Sequence, residues 1–168
     1  WVALPREHEE IEPSFAHLTA AELPSFARDD ASVVVVAGHA FGRRAPTPTF
    51  ADTLYASVAF ASAGAIALPA EHEERSVHAV DADFEIDGEL LPRHHLAVIA
   101  PGRAVALRSA GPARAMLIGG AALDGPRFLW WNFVSSSRER IERAKADWRE
   151  QRFGAVPGES EFIPLPGN

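Results

Sequence analysis

At 168 residues and 47% hydrophobic content, the chain is long enough to bury one good core and falls in the size range of a single domain. Its net charge of −7 argues against broad electrostatic capture of a phosphate backbone, so no direct nucleic-acid partner is expected. The absence of cysteine excludes disulfides and thiolate metal sites, and with no apolar run near 18 residues and no basic-then-apolar leader the sequence predicts neither a membrane span nor a signal peptide, which fits a cytoplasmic location.

Residues 1–29 open on Trp1 in place of an initiator Met and carry Pro5, Pro13 and Pro24 among Glu7, Glu9, Glu10 and Glu12. That composition lacks the apolar periodicity of a strand or stable helix and predicts a connector that continues from an earlier segment. From Ser32 the pattern changes. Short β-branched or alternating runs follow at 33–36, 54–60, 66–68, 77–80, 84–86, 96–99, 105–107 and 115–118. Many short strands at close spacing predict a β-sandwich or barrel. Asp87-Gly88 supplies the positive dihedrals of a tight hairpin, and Pro101-Gly102 and Gly111-Pro112 break the pattern between later strands.

An apolar strand with Trp130, Trp131 and Phe133 comes next. Successive strand residues face opposite ways, so the two tryptophans are not expected in one core unless the strand bulges. One of them, or Trp1, is expected in an exposed apolar patch. Ser136 with Glu139 reads as a capping box, and Ile141, Ala144 and Trp148 recur at helical spacing, predicting a surface helix from about Ser137 to Arg152. Residues 157–168 read as an extended tail.

Catalytic motifs are scarce. There is no Cys nucleophile, no Gly-x-Ser-x-Gly elbow and no phosphate-binding Gly-rich loop, so acyl transfer and nucleotide hydrolysis have no motif support. Arg43 and Arg44, beside a glycine-bounded segment at 38–42, read either as members of surface ion pairs or as a clamp for an anion or another domain's carboxylate. His94 and His95 read as turn residues. His8, His17 and His39 sit in connector or loop contexts with no carboxylate at a diagnostic spacing and receive no role.

Several segments taken together resemble the pirin family: Trp1-Val2-Ala3-Leu4-Pro5, Gly42-Arg43-Arg44-Ala45-Pro46, the stretch from Phe128 through Asn132 to Glu142, and Val156 to Pro166. Pirins are built from two cupin barrels in tandem, and this chain resembles the second barrel with the connector before it. The resemblance implies an all-β cupin (double-stranded β-helix, or jelly-roll) barrel with a C-terminal α-helix. It implies a connector over 1–29 at the end of a missing first cupin, a barrel over 30–122, and a strand, helix and tail over 123–168.

A cupin normally holds its metal with a His-x-His pair, a nearby Glu and a further His on a second hairpin. Aligned on Val80 and the Asp87-Gly88 turn, those positions fall on Ala70, His72, Ser76 and somewhere within 104–107, so three of four ligands are absent. This barrel is therefore expected to be metal-free. His72, Glu74 and His78 share a parity and make an alternative metal set on paper. The preferred reading has 71–75 as a solvated loop and His78 hydrogen-bonded at the barrel mouth.

The resemblance then implies a scaffold and interaction surface, with Trp1, Trp130, Trp131, Arg43 and Arg44, for a metal-bearing N-terminal cupin of the same protein, and it extends to other protein partners. A second reading makes the intact protein a quercetin 2,3-dioxygenase whose Fe(II), or another divalent metal, lies upstream of residue 1, leaving this chain alone inactive. A third makes the barrel a small-ligand-binding cavity.

Overall fold

The computed structural model describes residues 1–154 and 158–167. Two compact units make up the chain: Pro13–Ala122, and Trp1–Glu12 together with Leu123–Asn168. The larger is built entirely on strands apart from a short 3-10 turn at Ala20–Glu22.

Its larger sheet contains β1 (Ser25–Arg28), β2 (Ala31–Ala40), β3 (Arg43–Arg44), β4 (Thr53–Phe60), β6 (Glu74–Ala79), β9 (Leu96–Ile99) and β11 (Ala113–Gly120). They run in the order β1-β2-β4-β11-β6-β9, with β3 paired to the end of β2. The second sheet orders β5 (Gly64–Ala67), β10 (Ala106–Ser109), β7 (Phe84–Ile86) and β8 (Glu89–Leu91) as β5-β10-β7-β8. All pairings are antiparallel, and several join strands far apart in sequence, such as β4 with β11 and β5 with β10.

Alternation builds the interior. Cross-strand partners Val33, Val58, Ala115 and Ala79 form one buried layer, and Val35, Ala56, Leu117 and Val77 form the next. The second sheet contributes Ile66, Leu107, Phe84 and Leu91 to the same core. Each Val, Leu, Ile or Phe side chain among them, fully withdrawn from water, stabilises the fold by about 1.5–3 kcal/mol, and each Ala by less. The predicted hairpin at Asp87-Gly88 joins β7 to β8, with φ values of 49° and 88° at the two turn residues.

Two features depart from the sequence expectation. The segment read as connector supplies β1, which pairs with β2 over four residues and sets Phe26 edge-on to Phe41 at 6.2 Å. Only one residue of β1 is even partly covered, so its own pattern carries little signal and its partner strand specifies it. The run at 33–36 is the middle of a ten-residue strand, bulged between Val35 and Ala37. Beyond the bulge Gly38 and Ala40 carry on the buried side, and His39 lies on a strand rather than in a loop.

In the smaller unit β12 (Phe128–Trp130) and β13 (Phe133–Ser135) form a hairpin followed by α1 (Arg138–Arg149). Trp130, Trp131 and Phe133 are thus not on one strand. Trp131 turns the chain with a φ of 50°, Trp130 pairs with Phe133, and both tryptophans join one aromatic cluster with Phe133, in which Trp131 meets Trp148 at 5.2 Å. Trp1 is 79% exposed, while its indole N–H donates to the Trp131 carbonyl.

The helix starts one residue later than the capping box predicted. Ser137 is the N-cap, accepting the Arg140 N–H at 3.2 Å, because the Ser136 N–H and hydroxyl are both held by Glu9. Ile141 and Ala144 are buried on its inner stripe. The expected tail at 157–168 begins and ends at residues outside the described ones, as do Val156 and Pro157 of the terminal motif.

Candidate functional site

Three polar side chains from separate segments of the larger unit converge at one point. His39 comes from β2, Asp52 stands immediately before β4, and His72 lies in the loop leading to β6. β2 and β4 are antiparallel neighbours with Gly38 opposite Leu54, which brings His39 and Asp52 to the same end of the pair. Glycine is required on both sides of this strand start. A Cβ on Gly38 (φ +70°) would fall 1.7 Å from the Thr53 carbonyl oxygen, and one on Gly120 (φ +146°) would fall 2.2 Å from that of Asp52.

One oxygen of the Asp52 carboxylate lies 2.7 Å from His39 Nε2 and the other 2.9 Å from His72 Nδ1. His72 Nε2 is 2.9 Å from the His39 backbone carbonyl. The two imidazoles are close, with centroids 4.3 Å apart. Burial works to raise the Asp52 carboxyl, but hydrogen bonds and charge from His72, and then from His39, outweigh it and hold the group below the usual carboxylate range. His72 is buried with no exposed side-chain area, whereas His39 and Asp52 keep 28% and 38% of theirs. The set of two imidazoles and a carboxylate, with donor atoms mutually within 4.8 Å, is chemically suited to a divalent transition ion or to a shared proton.

The residues singled out from sequence are distributed differently. The segment 71–75 is not a uniformly solvated loop, because His72 and Arg75 are buried. Glu74 and His78 are not beside His72: the inward side of β6 carries Arg75, Val77 and Ala79, and Glu74, Ser76 and His78 take the other face. Residues 80–83 separate β6 from β7, so the inward phase of β7 does not carry through to β6. The expected second-hairpin stretch 104–107 turns Val105 and Leu107 inward.

Arg75 occupies the barrel interior at 3% exposure. Its Nη1 donates to the Pro69 carbonyl at 2.8 Å, and its Nη2 donates to those of Ala100 at 3.1 Å and Arg103 at 2.6 Å. Among the described residues no carboxylate pairs with it. The inward positions therefore present aliphatic side chains and a fixed positive charge, which do not fit the divalent metal of a cupin interior.

Of the expected contact residues, Arg43 and Arg44 are exposed on β3, with Arg43 5.8 Å from the Phe26 ring centroid and neither in an ion pair among the described residues. Sequence reading missed His39 and Asp52, which are 13 residues apart in sequence and 33 and 20 from His72. The available signal was strand pairing: once 31–40 and 53–60 are taken as a hairpin-like antiparallel pair, residues 39 and 52 meet at its closed end. Also unforeseen is a row of exposed apolar side chains across the outer face of the larger sheet, interrupted by Ser76: Tyr55 pairs with Ile118, Ile118 with Ser76, and Ser76 with Val98. Val98 is 80% exposed, and Leu96 beside it 52%.

Two antiparallel sheets closed around one aliphatic interior, followed by a helix, make this chain a cupin. It belongs to the pirin family: the Pirin C-terminal cupin domain matches residues 55–154, a span that includes His72 but begins after His39 and Asp52. A pirin-like protein of Caulobacter vibrioides is 43% identical over 99% of this chain and 58% of its own length. A Pseudomonas aeruginosa protein provisionally named quercetin 2,3-dioxygenase is 34% identical over 93% of this chain and 50% of its own length. The crystal structure of a quercetin 2,3-dioxygenase from Acinetobacter baumannii shares the fold with a TM-score of 0.90 at 24% identity, covering all of this chain and 57% of that one. The chain thus spans between half and three-fifths of the length of these relatives.

Proposed function

We propose that this chain is the scaffold half of a two-barrel pirin-type protein, presenting a contact surface to a preceding cupin that carries the redox metal. The observation that supports this most is Arg75: a barrel whose interior is occupied by a guanidinium bound to three carbonyls disfavours a catalytic cation at the same place. The exposed row through Tyr55, Ile118 and Val98 supports the contact role, because a lone soluble domain has little reason to keep apolar side chains aligned on one sheet face. The reading as an interior ligand-binding barrel gains no support. The cavity beside Arg75 measures about 10 Å³, scarcely enough for one water.

The names of two relatives favour quercetin 2,3-dioxygenation as the activity of the whole protein, with Fe(II) or another divalent metal in the other barrel. Oxygen uptake with quercetin tests both statements. This chain incubated with Fe(II) should give no turnover above the protein-free rate, and the chain joined to its preceding barrel should give it. Turnover by this chain alone would end the scaffold reading.

A further inference from the structure

The hydrogen-bond accounting around His72 does not close with the side chains alone. Its Nε2 lies 2.9 Å from a backbone carbonyl, which can only accept, so Nε2 must carry a hydrogen. In a neutral ring Nδ1 is then a bare lone pair, yet it lies 2.9 Å from a carboxylate oxygen, a second acceptor. The His72 side chain has no exposed area, so bulk water does not relieve the opposition. Something positive belongs between Nδ1 and Asp52: either a proton or a metal ion.

We propose that His39, Asp52 and His72 form a binding site for one divalent first-row transition ion of the zinc class. The donor set is two imidazole nitrogens and a carboxylate, the combination that leaves one or more coordination positions for water. The ring of His72 is already oriented as ligating histidines are, with its second N–H on a backbone carbonyl that fixes tautomer and direction. The buried member is anchored, while partly exposed His39 and Asp52 leave an entry path. The backbone around Asp52 is set by the close approaches at Gly38 and Gly120. Tetrahedral bonds of about 2.0–2.1 Å separate donor atoms by roughly 3.3 Å; the two imidazole nitrogens now contact different oxygens of Asp52, at 2.7 and 2.9 Å, and the donor atoms, within 4.8 Å of one another, need small side-chain adjustments to meet on one ion. The ion would tie β2, the start of β4 and the loop before β6 together, and so acts as a structural clamp.

The experiment is a calorimetric titration of the whole chain with Zn(II) alone, paired with Co(II) substitution read by its visible ligand-field bands. One equivalent should bind, with low-symmetry Co(II) bands and a melting temperature raised by several degrees. Asp52→Asn and His39→Ala should each weaken Zn(II) binding tenfold or more. His39→Ala removes only the side chain and keeps the carbonyl that holds His72, so the metal-free variant should melt close to the parent and isolate ligation from folding. Glu74→Gln and His78→Asn, on the other face of β6, should leave affinity within about twofold. Absence of a one-equivalent site, meaning that a proton alone bridges His72 and Asp52, overturns the proposal, as does binding indifferent to His39→Ala and Asp52→Asn. Neither outcome touches the scaffold reading, which rests on Arg75 and the outer sheet face.

Discussion

Arg75 is a buried charge stabilised by dipoles instead of by an opposite charge. Its hydrogen bonds reach Pro69, Ala100 and Arg103, so one side chain closes the backbone of two loops that otherwise carry inward carbonyls. Removing it takes the guanidinium donor from the Pro69 and Arg103 carbonyls, while that of Ala100 still accepts the Arg103 N–H, and an unmet buried acceptor costs more than the net gain of the bond. Arg75→Met, which keeps most of the volume, should lower unfolding free energy by about 3 kcal/mol in denaturant titration and the melting temperature by roughly 6–12 °C. A change below about 1 kcal/mol would mean that water replaces the guanidinium, and with it the case that the charge belongs to the interior would fall. In the sequence Arg75 was legible only as one charge in a charged run. His72 stood out as a histidine near a ligand position, but its partners did not, because they come from strands that meet only after β2 and β4 pair. Local spacing carries information about residues on one element; it is silent about residues gathered from three.

At the scale of elements, the strands with alternating burial were legible because burial itself writes the alternation, as in β4 and β11. β1 and the Trp131 turn were not, since an exposed strand has no apolar period and a positive φ at tryptophan is nothing that residue type announces. The start of α1 combines both kinds of signal. Ser137 caps it locally, while Glu9, 127 residues away, accepts from the Ser136 N–H and both adjacent hydroxyls and lies 2.9 Å from Arg127 Nε as an ion pair outside hydrogen-bond alignment. Ser137→Ala should cost about 1 kcal/mol. Glu9→Gln should cost about 1–2 kcal/mol at neutral pH, because it removes the charge beside Arg127 Nε and weakens the serine hydrogen bonds, while Asp124 still pairs with Arg127 Nη2. Burial works to raise the Glu9 carboxyl, but the hydrogen bonds from Ser136 and Ser135 and the Arg127 charge hold it below its usual 4.5. A depressed carboxylate stabilises fully above its unfolded value and loses that contribution as pH falls through the folded one. The gap between parent and Glu9→Gln should therefore be constant near neutrality and narrow in acid below 4.5; a gap that widens in acid would reverse the sign of the assignment.

For the whole molecule the decisive surface is the edge of the larger sheet. β9 ends the strand order, so one side of its backbone has no partner strand, and it also points Leu96 and Val98 outward, with Ile118 and Tyr55 further along the same face beyond Ser76. Natural edge strands are usually blunted by charge, proline or a cover. β9 carries neither of the first two among its described residues; its length of four residues limits the open edge, and its outward Leu96 and Val98 are what a cover would meet. The scaffold reading supplies one, since relatives of this family are nearly twice as long and the additional length is expected to fold as the partner barrel. Val98 is 80% exposed and packs on little within this chain, so Val98→Glu should change the stability of the isolated chain by less than about 0.5 kcal/mol. Against the preceding barrel, added as a separate polypeptide, the same substitution places a carboxylate in the contact beside Leu96 and Ser76. That should weaken association by about 2 kcal/mol or more, roughly thirtyfold, mainly through faster dissociation. Unchanged affinity, with the isolated chain equally stable, would place the partner on another face and leave the aligned apolar row without a role.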